Sequence, residues 1–517
     1  MLIGSVQRRW ISVAAFVGAV VVLAAGAVAQ GSLERRIGAA VEKARLGKAV
    51  VGVSIVDADT ERELATFSTG DSADSALIPA SNLKLLTTGA ALLTLGAEFE
   101  FRTSFVLVGD QLVIEGCGDP ALADPDLLSK MQTGIEQFLD RLADSIAAAA
   151  KGRIAHIVID DRVFDRELVH PTWPIDQLNR AYCAPVCGVN FHRNILSVFP
   201  SPASRAGEPP SLRTEPAAPW IEFDRQRART IREGDTAVWI ERGNSPWQFR
   251  LHGAVRTAPT DAVRVAVREP APIFGRLLGD RIAARQRGAT PTVRLVEQEE
   301  PVASTQPGAT VAAIVRTPIS VVLERCNVDS DNLYAEALLK LTGHHVTRQP
   351  GSWSNGAAVV RMILKDRIGS QHAASAVISD GSGLSRGNRI SARTLAAWIA
   401  NVANDDRVGE SYIRSMAIAK EEGTLRRRFR NKTLANEVRA KSGYINGVRS
   451  LSGLVLETTP SGTLVSAGSG RRLAFAILVN DIPAGADERA KELHENIVEI
   501  LDNYISENRK TAAAGGR

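Results

Sequence analysis

The chain has 517 residues and a formal net charge of +5, with a sequence pI near 9.1. This length is too great for one compact core, so we expect two or three domains. Hydrophobic residues make up 44% and charged residues 23%, which is typical of a globular protein. The basic residues are spread along the chain and form no block interleaved with aromatic residues, so nucleic-acid binding has little support.

The first 29 residues have the pattern of a secretory signal peptide. Arg8 and Arg9 precede an apolar stretch over 11–28, and Ala27-Val28-Ala29 matches the small-x-small cleavage pattern. An uncleaved anchor is the alternative, because the apolar stretch is long. No later segment is long and apolar enough to span a bilayer. We therefore expect an exported protein, in the periplasm or at the outer face of the cytoplasmic membrane.

Helix and strand patterns alternate over the residues that follow. A first helix is predicted from the spacing of Leu33, Ile37, Val41 and Ala44, with Ser32 as its cap and Gly47 as its stop. The next elements predicted are a strand over 50–56, a helix near Ser81, a hairpin over 101–116 that turns at Gly109-Asp110, an amphipathic helix over 135–146 and a strand over 154–159.

A candidate nucleophile lies at the start of the second helix. Ser81 precedes an apolar run over 85–95, and Lys84 lies three positions later, on the same face of a helix. A serine becomes an effective nucleophile when a neighbouring base takes its proton, and a desolvated lysine can be that base. Free N–H groups at a helix N-terminus also stabilise negative charge. Alone the pattern is weak, because it occurs roughly once or twice by chance in a chain of this length. A helix cap with a solvated lysine is the alternative.

The second half of the chain predicts helices followed by antiparallel strands. Residues 200–219 are rich in Pro, Ser and Ala without periodicity, which is typical of a linker or long loop. Asn446-Gly447 between two strand patterns is a strong hairpin signal. The elements predicted are strands over 237–255, 438–445, 448–457 and 473–479, and helices over 273–284, 319–323 and 333–341, with a final helix whose stripe is Leu493, Ile497, Leu501 and Tyr504.

Two further motifs follow Ser81-x-x-Lys84 in order. Ser330-Asp331-Asn332 lies in the polar turn between two predicted helices, and Lys441-Ser442-Gly443 lies in the first strand of the Asn-Gly hairpin. Together the three motifs resemble the signature set of penicillin-binding proteins and serine β-lactamases. Three matches in the right order and local context are far more specific than any one of them.

The spacing narrows this resemblance to one family. Ser330 lies 249 positions after Ser81 (330 − 81), a much longer separation than in class A β-lactamases. Such an insertion resembles the class C low-molecular-mass penicillin-binding proteins, the D-alanyl-D-alanine carboxypeptidase/endopeptidase family. The segments that also resemble this family are 79–82, 116–120, 182–194, 330–336, 380–386 and 447–453. The resemblance covers roughly residues 33–505.

These motifs fit an acyl-transfer mechanism. Ser81 is expected to attack a carbonyl and form an acyl-enzyme. Lys84 takes its proton as a neutral amine, with a pKa lowered by burial and by the cationic Lys441. Ser330 relays a proton to the departing amine, and Asn332 holds a substrate amide through its donor and its acceptor.

The third motif is expected to bind the substrate. Lys441 supplies positive charge, Ser442 offers a hydroxyl to a substrate carboxylate, and Gly443 lets the strand edge approach the substrate. The resemblance implies an oxyanion hole made of the backbone N–H groups of Ser81 and Tyr444. Ser442 stands where the family usually has Thr, but the hydroxyl is kept. Tyr444 replaces a smaller residue, and its ring is expected to narrow the cleft.

The resemblance implies a serine-type D-Ala-D-Ala carboxypeptidase, with endopeptidase action on peptide crosslinks as a further activity. Its partners are peptidoglycan peptides that end in D-Ala-D-Ala, and β-lactam antibiotics, which should acylate Ser81. No cofactor is implied. A zinc peptidase is disfavoured, because His192 and His344-His345 lack partners at metal-ligand spacing and no H-E-x-x-H motif occurs.

Two alternative functions share the same fold. A β-lactamase would hydrolyse its acyl-enzyme rapidly, and the long insertion argues against it. A non-catalytic cell-wall binding protein would keep the fold without the chemistry, and the intact motif residues argue against that.

The expected fold is α+β. A penicillin-binding-protein/β-lactamase-like transpeptidase domain, an antiparallel sheet with helices, is split by an inserted region that forms one or two smaller α/β domains. The predicted boundaries are 1–29 for the signal peptide, 30–100 and 310–507 for the transpeptidase-like domain, 101–309 for the inserted region with a subdomain boundary near 195–220, and 508–517 for a flexible tail.

Three features leave alternatives open. Cys117, Cys183, Cys187 and Cys326 form no dense disulfide framework. Cys183 and Cys187 could form a disulfide only if their segment is not helical, and free buried thiols are equally consistent.

Residues 380–386 are either a turn that caps a helix from Ala392 or a wall of the cleft. The arginines at 426–428 and 430 predict a solvated face in preference to a peptidoglycan-binding patch.

Overall fold

The computed structural model describes residues 31–70, 74–459, 461–465 and 470–515. The predicted signal peptide lies outside these residues. The helices are α1 (31–44), α2 (Leu83–Leu95), α3 (Pro125–Lys130), α4 (Ile135–Ala149), α5 (Pro270–Gln286), α6 (Ile319–Asn327), α7 (Asn332–Thr347), α8 (Trp353–Ile368), α9 (Ser370–Ser375), α10 (Ala392–Ala403), α11 (Gly409–Arg414) and α12 (Asp487–Gly515).

The strands alternate with these helices along the chain. They are β1 (Val50–Asp57), β2 (Arg62–Ser68), β3 (Glu100–Val108), β4 (Gln111–Glu115), β5 (His156–Asp160), β6 (Ile195–Ser201), β7 (Ser211–Glu215), β8 (Glu222–Thr230), β9 (Ala237–Arg242), β10 (Gln248–Val255), β11 (Val263–Ala266), β12 (Thr292–Leu295), β13 (Thr310–Pro318), β14 (Ala417–Ile418), β15 (Glu437–Ile445), β16 (Val448–Leu456) and β17 (Arg472–Asn480).

A first compact unit comprises residues 31–82, 364–377 and 388–515. Its sheet has the order β14-β15-β16-β17-β1-β2, and every pairing in it is antiparallel. Helix α10 packs on β1 and β17, and α12 packs on β16 and β17. All nine residues of β17 are buried, because both faces of this strand are covered. The antiparallel sheet with helices is thus confirmed.

A second compact unit comprises residues 83–363 and 378–387. It contains a mixed sheet of order β12-β5-β4-β3-β13 and two three-stranded sheets of order β8-β10-β9 and β11-β6-β7. Helices α4 and α5 pack together and against the mixed sheet, while α2, α6 and α7 pack on one another. The predicted domain boundaries do not coincide with these units, since 83–100 and 310–363 pack with the inserted residues. The compact units are defined by contacts and do not test where the domains begin and end, so the predicted domain boundaries stay a prediction.

Most predicted elements are present within a few residues of their expected ends. The Asn446-Gly447 turn joins β15 to β16 with Ile445 opposite Val448, and Gly447 has a φ of +75°, the left-handed backbone that a two-residue hairpin requires. Likewise, β3 and β4 pair as the predicted hairpin around Gly109-Asp110. Long amphipathic segments specify their own structure locally, which explains this agreement.

Three expectations were wrong or incomplete. Residues 200–219 are not one loop: β7 lies within them and pairs with β6 in the register Pro200↔Leu212. This short, largely exposed edge strand depends on its partner, so composition alone did not predict it. Ser32 lies inside α1, not at its cap, because residue 31 is already helical. Helix α12 continues into the predicted tail as far as Gly515.

Candidate active site

The predicted nucleophile lies in a tight turn that runs into a buried helix. Residues Ala80–Asn82 form a 3-10 turn that leads directly into α2, and Ala80 has a φ of +46°. The first ten residues of α2, including Lys84, are buried. The sequence therefore placed Ser81 correctly at the start of the helix. The alternative of a solvated lysine at position 84 is excluded, because its side chain is 0% exposed.

Asn82 ties this turn to the strands of the first unit. Its Nδ2 donates to the carbonyl oxygen of Lys441 at 2.6 Å, and its Oδ1 accepts from the Ser452 hydroxyl at 2.7 Å. The Ser450 hydroxyl donates to the carbonyl oxygen of Pro79 at 2.7 Å. One buried amide is thus hydrogen-bonded to both β15 and β16. The backbone of Ser81 is fixed beside the strand that carries the third motif.

Gly443 allows β15 to lie against the Ser81 turn. A Cβ at this position would lie 2.2 Å from the Ser450 hydroxyl oxygen and 3.0 Å from the Ser81 nitrogen. The first distance is shorter than real Cβ contacts and the second is tighter than most of them. A side chain here would therefore displace the Ser450 hydroxyl and press against the Ser81 turn. The structure thus shows Gly443 in close contact with the backbone of Ser81, whereas its predicted approach to a substrate stays a prediction.

The other residues of the third motif line the same strand. Lys441 is completely buried, and its Nζ donates to the Ser442 carbonyl oxygen at 2.7 Å. The Ser442 hydroxyl donates to the Thr424 hydroxyl at 2.9 Å. Tyr444 is 53% exposed, and the Arg449 guanidinium lies 3.8 Å from the centre of its ring. The ring is therefore exposed beside a guanidinium, and its narrowing of the cleft stays a prediction.

Lys84 is held by two acceptors of the second unit. Its Nζ donates to Asn332 Oδ1 and to the carbonyl oxygen of Ser382, each at 2.8 Å. Burial lowers the pKa of Lys84 from its usual 10.5, and the nearby Glu336 and Asp380 oppose this effect without cancelling it. An uncharged amine donates two N–H hydrogen bonds, so Lys84 can make both of these contacts without a positive charge. The arrangement suits a lysine that works as a base.

The second motif occupies a strained turn before α7. Ser330 has a φ of +64°, which is unfavourable for a residue with a side chain. Asp331 caps α7 by accepting from the Leu333 N–H, and its carboxylate pairs with Arg193. Asn332 Nδ2 donates to the carbonyl oxygen of Tyr182 at 2.8 Å. Asn332 is thus oriented on both sides, by Lys84 and by Tyr182.

Two buried carboxylates hold the segment that binds Lys84. Glu336 accepts from the N–H groups of Gly381 and Ser382 at 2.7 and 2.8 Å. Asp380 accepts from the N–H groups of Gly383 and Ser385 at 2.9 and 2.6 Å. Burial and then the neighbouring Asp380 raise the pKa of Glu336 to about 7. Residues 380–386 therefore form a turn that supports the proposed base, whereas α10 is capped by Ser391.

Sequence reasoning assigned no role to Asn82, Glu336 or the Ser382 carbonyl. The first two lie inside segments that had been matched to the family, but a motif does not show which backbone group a buried side chain will meet. The Ser382 carbonyl is a backbone acceptor, and the side-chain pattern carries no signal for it. For these residues the three-dimensional contacts were needed.

Several other expectations can be compared with the structure. None of the four cysteines forms a disulfide within the described residues, which agrees with the alternative of buried thiols for Cys183 and Cys187. Arg426, Arg427 and Arg430 are exposed, as the predicted solvated face requires. Arg428 is not part of this face, because its Nε lies 2.6 Å from Glu495 and its side chain is 14% exposed. Within the described ranges, no set of His, Cys, Asp and Glu side chains is arranged to hold a metal ion. No helix in the described part of the chain is long and apolar enough to cross a membrane.

Known proteins resemble this chain over most of its length. A family model, that of the D-Ala-D-Ala carboxypeptidase 3 (S13) family, matches residues 33–504. A D-alanyl-D-alanine carboxypeptidase of Actinomadura sp. (strain R39) is 30% identical over 471 residues, covering 87% of this chain and 81% of that protein. The D-alanyl-D-alanine carboxypeptidase DacB of Haemophilus influenzae is 23% identical over 450 residues, covering 83% and 86%.

A solved structure supports the fold independently. The crystal structure of penicillin binding protein 4 (dacB) from Haemophilus influenzae matches with a TM-score of 0.67 at 19% identity, covering 92% of this chain and 99% of that one. At this level of identity the likeness concerns the fold, and it confirms the predicted fold class.

Proposed function

The chain belongs to the D-Ala-D-Ala carboxypeptidase 3 (S13) family, and from this membership we propose that Ser81 is the nucleophile of a serine-type D-Ala-D-Ala carboxypeptidase. The observation that carries the assignment is the burial and hydrogen bonding of Lys84. This lysine is fully buried, lies three positions after Ser81 and donates to Asn332 and Ser382. Burial favours the uncharged amine that a general base requires.

The proposed reaction has two halves. Ser81 attacks the carbonyl of the penultimate D-Ala while Lys84 takes the hydroxyl proton. The peptide bond then breaks, Lys84 returns this proton through the Ser330 hydroxyl to the amine of the departing D-Ala, and Ser81 carries the acyl group. In the second half a water molecule attacks the ester while Lys84 takes its proton. The ester bond then breaks, Lys84 returns the proton to the Ser81 oxygen, and the shortened peptide departs with a free carboxyl group. The N–H groups of Ser81 and Tyr444 stabilise the oxyanion in both halves.

The remaining motif residues would position the substrate. Lys441 and Ser442 bind the terminal carboxylate, by charge and by a hydroxyl hydrogen bond respectively. Gly443 keeps the strand free of a side chain where the peptide lies alongside it. Asn332, already oriented by Tyr182, holds a substrate amide.

The same acyl transfer extends to two further ligand classes. Cleavage of a peptide crosslink differs only in the leaving group, which is then a side-chain amine of a second stem peptide. A β-lactam carries a strained amide that Ser81 would open, leaving a stable acyl-enzyme. A related structure was solved as a complex of penicillin binding protein 4 from Haemophilus influenzae with a novel β-lactam, which supports this extension. The basic and apolar pattern at the N-terminus supports export to the periplasm or to the outer face of the cytoplasmic membrane.

Release of D-Ala from a soluble peptide ending in D-Ala-D-Ala tests the proposal. Wild type should release D-Ala stoichiometrically with peptide, and Ser81→Ala should release none above background. Equal release of D-Ala by both proteins would contradict the assignment of Ser81 as the nucleophile. A crosslinked muropeptide dimer measures the endopeptidase activity in the same assay. Nitrocefin separates the β-lactamase alternative, because one stoichiometric burst indicates a carboxypeptidase and rapid turnover indicates a β-lactamase.

A further inference from the structure

A groove outside the catalytic motifs is lined by two tryptophans of the second unit. Trp220 precedes β8, Trp247 precedes β10, and their rings meet edge to face, 5.2 Å apart at 83°. Both rings are partly exposed and pack against the core of this unit. The groove has a volume of about 420 Å³, within the usual range of small-ligand sites, which are lined mainly by apolar and aromatic groups.

The groove is built around one carboxylate of α5. Asp280 accepts from the Trp220 indole N–H at 2.9 Å, from the Thr290 hydroxyl at 3.0 Å and from Arg276 Nε at 3.1 Å. These hydrogen bonds fix the ring of Trp220 and orient its neighbours before any ligand arrives. Since preorganised groups lose less conformational freedom on binding, the groove has the construction of a binding site.

The polar rim of the groove is electrically balanced. Arg276 is the only charged residue among those that line it, and its pairing with Asp280 neutralises it. The Trp247 indole N–H donates to no protein group within the described residues, so it remains available to a ligand. A neutral ligand with hydroxyl and amide groups suits this rim, whereas an anionic polymer would find no surplus of positive charge.

We propose that this groove binds the glycan strand of peptidoglycan, a neutral polymer of β-linked N-acetylated amino sugars. The C–H face of a pyranose packs on an aromatic ring, and its hydroxyl and acetamido groups match the polar rim. The inference rests on the proposed function, because the peptides that the enzyme cuts are attached to such strands. The inserted region would then hold the polymer while the catalytic motifs act on its stem peptides.

Binding of glycan that carries no peptide tests this inference separately from catalysis. The probes are chitotetraose and chitohexaose, neutral β-linked oligomers of N-acetylglucosamine, with dextran as the unrelated neutral polymer, and binding is measured by titration calorimetry on the full protein. Trp247→Ala should weaken binding at least tenfold. Trp239→Ala is the matched control, because Trp239 is 46% exposed and stacks on His252 away from the groove. It should change binding less than twofold.

D-Ala release from a short soluble peptide measures folding and the proposed function independently of glycan binding. It should be unchanged in both tryptophan variants. If Trp247→Ala loses that activity as well, Arg276→Ala replaces it as the decisive variant, since this side chain is 48% exposed and leaves no core cavity; it should weaken glycan binding at least threefold. The inference is overturned if wild type binds neither glycan or binds dextran equally well. It is also overturned if the folded variant binds the glycans as tightly as wild type does. Absence of D-Ala release by wild type would instead overturn the proposed function.

Discussion

At the scale of single residues, the buried lysine is the feature on which the chemistry depends. Burial lowers the pKa of Lys84 from 10.5, and the uncharged amine is the active form. Activity should therefore rise with pH through a pKa below 10.5. Lys84→Arg keeps the positive charge but cannot lose it in this range, so kcat/KM should fall by about 10²- to 10⁴-fold and the rising limb should disappear. A pH profile of D-Ala release measures both effects.

A second buried lysine provides the matched control for this experiment. Lys340 is also 0% exposed, and its Nζ pairs with Asp165 at 2.6 Å, but it belongs to no catalytic motif. Lys340→Arg should lower stability and keep the pH limb of wild type. A wild-type limb centred at or above pH 10.5 would contradict the explanation by burial.

Glu336 makes a second prediction at this scale. Its pKa of about 7 in the folded protein lies above the usual 4.5. The folded state therefore keeps a proton that the unfolded chain has lost between these values. This contribution to stability is fully present below pH 4.5 and is lost as the pH rises through 7. Glu336→Gln removes it, so the stability of wild type relative to the variant should fall as the pH rises.

Urea unfolding at pH 4.5 and at pH 8 measures this change. The amide also leaves one N–H of the 380–386 turn facing an NH₂ group, which destabilises the variant by about 1–3 kcal/mol at every pH. Glu324→Gln is the control, because Glu324 is 55% exposed. A stability difference for Glu336→Gln that is the same at both pH values would contradict the assignment of the raised pKa to this carboxylate.

At the scale of elements, β15 depends on two glycines for different reasons. Gly443 has the Ser81 nitrogen and the Ser450 hydroxyl where a Cβ would lie, whereas Gly447 has no neighbour within 4 Å but has a φ of +75°. Gly443→Ala should therefore displace the strand from the Ser81 turn and slow acylation at least tenfold. Gly447→Ala should lower stability by about 1 kcal/mol and leave acylation unchanged.

The rate of labelling by a fluorescent penicillin compares the two variants, with thermal unfolding as the measure of stability. Similar labelling rates for Gly443→Ala and Gly447→Ala would show that the close approach at Gly443 has no part in the reaction.

The same scale explains which elements were predictable. Helix α4 and the β15–β16 hairpin carry their periodicity and turn residues in their own sequence, so they were expected with nearly correct ends. Strand β7 has five residues, none of them buried, and it forms by pairing with β6. Because this strand forms only by pairing with β6, the composition of its own residues predicted a loop instead.

At the scale of the whole molecule, the three sequence motifs occur in the expected order although a long insertion separates the first from the second, so they could be recognised in the sequence. Ser81, Lys84 and Asn332 could be named as candidates because their chemistry requires those side chains. Asn82 and Glu336 could not be given roles, since their importance lies in the backbone groups they meet: the carbonyl of Lys441 and the N–H groups of Gly381 and Ser382. Such contacts join segments far apart in the chain, and a single sequence does not encode them as a pattern.

The central claim is that Ser81 carries the acyl group, and mass spectrometry of the penicillin adduct tests it most directly. Wild type should gain one penicilloyl mass per chain, and proteolytic mapping should locate it on the peptide that contains Ser81. Ser81→Ala should gain none, while Ser442→Ala, which keeps the nucleophile, should still be labelled, more slowly. An adduct on any other residue of wild type, or an undiminished adduct in Ser81→Ala, would contradict the account.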